Sequence, residues 1–217
     1  MSANTIELPL FPLNVVLFPG MVLPLHIFEP RYRQMVAECV EQQKPFGVVL
    51  ARPEGEHLQE EPYLVGTMAE IRDVDQLEDG RMNIMTIGLK RFRILSQHRH
   101  KPYLSAIVVL FEDDTEPEQD LVPCAHSAQN LFRSYLELFL EGENERDVLV
   151  NLPSVPEELS HFIAYFLDVP DERRQHFLEL TSTVQRLQEE IVILQREVPF
   201  MRQILSHRMP RDRSMLN

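Results

Sequence analysis

Lysine, cysteine and long apolar runs are all scarce in this sequence, and each shortage removes a class of function. The 217 residues hold only Lys44, Lys90 and Lys101 as lysines. No lysine follows a glycine, so no Walker A loop can cradle nucleotide phosphates, and ATP hydrolysis by that loop is excluded. No lysine lies beyond Lys101, so the second half cannot supply a Ser-Lys nucleophile pair from its own residues. GxSxG and HExxH are also absent. A dispersed Ser-His-Asp triad is a spatial object that one sequence leaves open, but nothing here points to one. No catalytic residue and no cofactor is assigned.

The two cysteines, Cys39 and Cys124, lie far apart without CxxC spacing. They suit reduced thiols in the cytoplasm better than a disulfide framework or a zinc knuckle. The most apolar stretch, Val15 to Phe28, carries Pro19, Pro24 and His26 and falls short of the ~20 residues that span a bilayer. The opening MSANTIELPL has no basic start, so neither a signal peptide nor a membrane anchor is expected. With 21 Lys+Arg against 34 Asp+Glu, the net charge is −13. That balance works against general nucleic-acid binding, which needs clustered cations.

What is present divides near residues 112–120. Before that point, short apolar segments alternate with turn signals, at Thr5–Leu10, Met21–Phe28, Phe46–Ala51, Tyr63–Val74, Arg81–Leu95 and Tyr103–Phe111. They read as strands. Asp79-Gly80 marks a hairpin between two of them. Pro30 suits a first helical position, with Met35, Val36, Cys39 and Val40 following on one face. Pro9, Pro12, Pro19 and Pro24 confine the opening segment to edge strand or extended loop. A small, nearly closed barrel with an inserted helix accommodates all of this.

The acidic string Glu112 to Asp120 then reads as a solvated linker. Helices are expected beyond it. Cys124, Ala128, Leu131, Tyr135 and Leu138 form one apolar stripe that stops near Gly142. Ser154 with Glu157 offers a capping box ahead of Leu159, Phe162, Ile163 and Phe166. Asp168 and Pro170 restart the chain as a third helix. Ser182 with Gln185 opens the last one, whose stripe runs through Leu187, Ile191, Leu194, Val198, Met201 and Leu205. Pro199 should kink or end that helix. The expected class is α+β, with a barrel over residues 1–115 and a helical bundle over residues 121–217.

His98 and His100 are two apart and would share a strand face, but Arg99 and Lys101 beside them repel a metal, so no metal site is assigned. His26, between Leu25 and Ile27, reads as a half-buried, hydrogen-bonded histidine. From Arg81 to Phe111 there is no acidic residue, while Arg81, Lys90, Arg91, Arg93, Arg99 and Lys101 carry charge. Arg91 and Arg93 could form an anion-attracting face if Phe92 points to the core. Neutralisation by Asp73 to Asp79 or Glu112 to Asp114 is the favoured alternative.

The strings LPLFPLNVVLFPGMVLPLHIFEPRY (Leu8 to Tyr32), FGVV (Phe46 to Val49), VGTMAEI (Val65 to Ile71), DGRMNIMTIGLKRFRI (Asp79 to Ile94) and PYLSAIV (Pro102 to Val108) resemble the N-terminal, substrate-recognition domain of Lon proteases. The segment Phe162 to Ile191 is similar to the helices that follow in that family. The resemblance implies a PUA-like barrel followed by a helical bundle. It also implies that this chain ends before the ATPase and protease modules of Lon would begin, as a free-standing recognition domain.

On that resemblance, Glu29-Pro30-Arg31 fixes the turn into the first helix, with Glu29 near its N-cap. Arg31 either pairs locally or reaches a partner. Met21, Phe28, Tyr32 and Met35 would offer adaptable apolar surface if exposed. A place in the core is the alternative, stronger for Phe28 than for Met21. The implied function is non-catalytic binding of unfolded or partner polypeptide, as an adaptor or regulator in protein quality control and as a monomer or weak homo-oligomer. An RNA-binding PUA-like module is the second reading and a small hydrolase with a cryptic triad the third.

Overall fold

Alternation of apolar and polar residues draws the first half of the chain into six strands. In a computed structural model, which describes residues 5–52, 61–142 and 151–208, these are β1 (Thr5–Leu13), β2 (Val22–Ile27), β3 (Phe46–Ala51), β4 (Pro62–Gln76), β5 (Met82–His98) and β6 (Ser105–Phe111). Between β2 and β3 lies α1 (Pro30–Gln42). The hairpin joining β4 to β5 closes where Leu77 N–H meets the Arg81 carbonyl at 2.9 Å, around Asp79-Gly80.

The strand order is β2-β5-β4-β3-β1-β6, and β6 pairs with β5 as well. The length of β5 allows this, because Met82–Ile87 pair with β2 and Arg91–His98 pair with β6. Only β1 and β3 run parallel. One buried cluster, with Leu10, Phe92, Ile94 and Val108, draws on β1, β5 and β6. A second joins Phe11, Phe46 and Ile84 to Tyr32, Met35, Val36 and Cys39 of α1. The buried stripe of α1 thus begins at Tyr32 and recurs 3, 4 and 7 residues beyond it, whereas Val40, expected on that face, is 45% exposed. Glu29 stands at the N-cap, and its carbonyl receives the Arg33 N–H at 2.9 Å.

The Phe18-Pro19-Gly20 string is a tight loop pressed on β5. Gly20 donates to the Gly88 carbonyl at 2.9 Å, and Gly88 donates to the Met21 carbonyl at 2.8 Å. Gly20 holds φ of 77°, a left-handed value that suits glycine. A Cβ on Gly88 would lie 2.3 Å from the Phe18 carbonyl oxygen. Thr67, buried, fastens the same loop by donating to the Leu17 carbonyl at 2.6 Å.

Four helices follow: α2 (Glu118–Gly142), α3 (Pro156–Phe166), α4 (Asp171–Glu179) and α5 (Thr183–Arg208). Contacts divide the chain into two compact units. One comprises the described residues of Met1–Asp114 and Ala164–Thr181, the other those of Thr115–Ile163 and Ser182–Asn217. The region expected to form a single bundle therefore gives α4 back to the unit that holds the sheet. The reason is polar. Gln175 of α4, 1% exposed, donates to the Val65 carbonyl of β4 at 3.1 Å. Arg91 of β5 donates to the carbonyls of Leu178 and Leu180 at 2.9 and 2.6 Å, where the last orphan acceptors of α4 need partners.

The acidic string 112–120 is mostly exposed and the two units part within it, but several of its side chains are anchored and its last residues open α2. Asp113 is buried against Arg91, and Asp114 accepts from the Thr181 hydroxyl at 2.7 Å. Glu116 receives the Ser182 hydroxyl at 2.6 Å and the Val184 N–H at 2.9 Å. Ser182 caps α5 as its spacing implies, its oxygen accepting the Gln185 N–H at 2.9 Å.

Two helical expectations shift. The buried stripe of α2 is Ala125, Ala128, Phe132 and Tyr135, one residue out of phase at two positions. Helix α5 does not end at Pro199 but continues to Arg208. Within its buried face stand Arg186 and Glu190, both 0% exposed, among Leu187, Leu194 and Val198.

Candidate functional site

Successive β2 side chains alternate between the core and the outside. Ile27 goes in, while Val22, Pro24 and His26 are exposed. Their register partners on β5 are Ile87, Met85 and Asn83. Val22 is 49%, Met85 41% and Phe28, just beyond β2, 60% exposed. His26 is tied in place by Nδ1, 2.7 Å from Asn83 Oδ1, and its ring stacks at 6.1 Å on Phe28. It is exposed, not half-buried, because the outward face of an edge ribbon is where its position in the alternation places it. Pro24 cannot donate a backbone hydrogen bond, which suits this outermost strand.

Beside this row, in the same unit, runs a groove of about 590 Å³. Val40, Pro45, Ile71 and Val74 give it an apolar lining, with Lys44 and Asp73 among its polar residues. Asp73, in the groove lining, is the register partner of Met85. An exposed apolar row with a part-apolar groove near it can accept extended, side-chain-bearing ligands.

The residues singled out from the sequence scatter over this unit. Phe28 and Met21 exchange their expected places: Phe28 is exposed, and Met21 is partly buried against the core. Tyr32 and Met35 are core residues, 4% and 0% exposed, with Tyr32 stacked on Phe11 at 4.1 Å. They offer no surface. Arg31 is exposed and pairs locally, its Nε donating to Glu29 Oε2 at 2.8 Å and its guanidinium lying 4.5 Å from the Tyr32 ring.

Arg91 is buried under α4 and paired to Asp113, so it presents no cation to an anionic ligand. Arg93, on the same strand face, is exposed with its guanidinium 5.5 Å from the Phe111 ring. Elsewhere in the basic span Lys90 meets Glu112 at 2.5 Å, which pushes the lysine pKa up, and Arg81 meets Asp79 at 2.6 Å. Val22 and Met85 were missed by sequence reasoning. The β2–β5 register, which one sequence does not state, pairs Met85 with Pro24, two residues along from Val22.

Among the described residues no three His, Cys, Asp or Glu side chains converge as a metal site. The rings of His98 and His100 stand 6.0 Å apart. No described helix is long and apolar enough to cross a membrane. Burial pushes the Cys39 thiol up to about 11, so it is held as an unreactive thiol.

The family model described as the ATP-dependent protease La (LON) substrate-binding domain matches residues 7–196. The chain belongs to this family. Its curated relatives include Lon protease 2 of Myxococcus xanthus, 31% identical over 197 residues that make up 88% of this chain and 24% of the relative. The Lon protease of Anaeromyxobacter dehalogenans is 30% identical, over 88% of this chain and 23% of its own length. The chain thus spans about a quarter of these relatives.

Among solved structures, a Lon N-terminal domain protein from Xanthomonas campestris matches with a TM-score of 0.63 at 26% identity, over 86% of this chain and 98% of that one. The N-terminal domain of the Mycobacterium avium complex Lon protease matches in fold, with a TM-score of 0.66 at 16% identity, over 87% and 98%. The resemblance drawn from the Leu8 to Tyr32 string is therefore correct. In this Lon-domain chain those residues set the Phe18–Gly20 loop, the β2 row and the start of α1 in one unit.

Proposed function

We propose that this Lon-domain protein is a non-catalytic module that binds polypeptide, unfolded or presented by a partner, along the β2–β5 row and the adjoining groove. The exposed row Val22, Phe28 and Met85 carries the reading. Covering one such side chain with a partner contributes roughly 1.5 kcal/mol, so a few anchors suffice for weak, sequence-tolerant capture. Asp73 and Asp75 on the neighbouring strand are exposed and favour segments that mix apolar with basic residues.

The finer parts of the reading travel with it. The strand pairings that lead from β5 through β4, β3, β1 and β6 back to β5 support a PUA-like barrel, and packing of α2 against α5 supports a small bundle. Membership of the substrate-binding domain family supports recognition, and the reading extends it to a cytoplasmic adaptor or regulator. An RNA-binding role has less support, since Arg81, Lys90 and Arg91 are each paired with a carboxylate.

The test is fluorescence anisotropy with a labelled unfolded peptide rich in Phe, Leu and Arg. Phe28→Ser combined with Met85→Ser should weaken binding at least fivefold, with Val192→Ser, on the other unit, as an unaffected control. Equal binding by all three proteins would remove the proposal.

A further inference from the structure

Away from the apolar row, the same unit holds a polar cavity of about 210 Å³. It is enclosed by β1, the second half of α1 and the connection from β5 into β6, with Glu7, Glu38, Lys44, Lys101, Tyr103 and Ser105 in its lining. Three of these form a fixed cluster. Lys101 Nζ donates to Glu38 Oε2 at 2.7 Å and meets the Tyr103 hydroxyl at 2.8 Å, and that hydroxyl donates to the same Glu38 oxygen at 2.5 Å. The other Glu38 oxygen accepts from Gln34 at 2.9 Å. Glu38 thus accepts from three donors, and Lys101 has used two of its three N–H groups.

Ser105 supplies the decisive observation. It is 2% exposed, and its hydroxyl meets no hydrogen-bond partner among the described residues. Buried hydroxyls are almost always satisfied, so one lining a cavity marks where a ligand atom would complete the set. The donors left over around Ser105 are its own O–H, the remaining Lys101 N–H and the exposed ammonium of Lys44, while Glu7, also in the lining, faces His100 Nε2 at 3.8 Å. A cation would find Glu38 already engaged by three donors. An anion with two acceptor oxygens gains a hydroxyl and a preset ammonium at once.

We propose that this cavity is a carboxylate-binding site for a ligand of about amino-acid size. The volume admits one residue's worth of atoms, and the Glu38–Tyr103 pair holds the Lys101 ammonium in position before binding. The carboxylate can come from a free small acid or from the last residue of a polypeptide. The cavity shares Cys39 and Lys44 with the lining of the groove but none of the β2 row, and the proposal does not rest on that row.

The test titrates N-acetylglycine into the isotopically labelled protein and follows amide and side-chain shifts, with N-acetylglycinamide as the neutral isostere. The acid should give saturable shifts at Ser105, Lys101 and Cys39, and the amide none. Ser105→Ala and Lys101→Met should each weaken the acid at least fivefold. Ser105→Ala removes one oxygen and keeps the fold testable if Lys101→Met does not.

Shifts that never saturate, or equal response to acid and amide, would overturn the proposal, as would indifference of both variants. To distinguish the sources, a pentapeptide with a free C-terminus is compared with its amidated form. Competition by the free form alone assigns a chain end, and failure of both while N-acetylglycine binds assigns a small free acid. Phe28→Ser should leave all of these responses unchanged, which separates the cavity from the polypeptide surface.

Discussion

At the scale of single residues, the Arg91 guanidinium donates to the Leu178 and Leu180 carbonyls and to the Asp113 carboxylate, with the side chains of Arg91 and Asp113 buried. Removing one partner of such a buried pair costs about 3 kcal/mol, because the other charge stays behind unpaired. Arg91→Met should therefore move the urea midpoint strongly down, and Arg91→Lys should recover only part, since an ammonium cannot fork to three acceptors. An unchanged midpoint for Arg91→Met would contradict this account. Strand alternation told that residues 91 and 93 share a face opposite Phe92. It could not tell that α4, far along the chain, covers one of them. Glu38 gives a second residue-scale expectation. Hydrogen bonds from Lys101, Tyr103 and Gln34 lower its carboxyl from 4.5 to about 2. Its contribution is complete above pH 4.5 and is lost as pH falls toward about 2. Glu38→Gln should flatten that acid limb in a pH series of thermal melts.

At the scale of elements, the Phe18–Gly20 loop and helix α5 show opposite kinds of legibility. Pro19 confined this stretch to edge strand or extended loop, and the family signature was readable from Leu8 to Tyr32. What the turn presses against was not, because Gly88 is an unremarkable strand glycine until the Phe18 carbonyl is seen beside it. Gly88→Ala should cost about 2 kcal/mol, a typical penalty for forcing extra volume into a packed contact, read as a lower melting temperature with the same final fold. In α5 the heptad stripe was plain in the sequence, yet two of the positions it buries are Arg186 and Glu190. Burial raises the Glu190 carboxyl well above 4.5, only partly opposed by the Arg186 charge. A raised acid favours the folded state below its unfolded value, and that advantage is lost as pH rises through the folded one. Glu190→Gln cannot ionise, so its stability should fall less than that of the wild type between pH 5 and pH 9 in urea titrations. Parallel profiles would mean that Glu190 stays charged.

At the scale of the whole molecule, the chain leaves the sheet-bearing unit after Asp114, returns to it for Ala164–Thr181, and leaves again at Ser182. Composition marked the first crossing, since the acidic string begins there. It hid the return, because α4 is short and its pattern of Asp, Glu and Arg looks like any exposed helix. The polar anchors decide the matter: Gln175 on Val65, Arg91 on the end of α4, and Thr181 on Asp114. Each charged hydrogen bond from Arg91 is worth about 2 kcal/mol, so together with the buried pair they reach a large fraction of the 5–15 kcal/mol that holds a typical domain. A chain ending at Asp114 should therefore lose its cooperative urea transition although every strand is present, with Arg91 left without the Leu178 and Leu180 carbonyls. Adding a synthetic peptide of residues 164–181 should restore a sigmoidal transition and protect the β4 and β5 amides from exchange. A truncated chain that unfolds cooperatively, at the same urea concentration as the full chain, would show that α4 is a passenger on the sheet and not one of its supports.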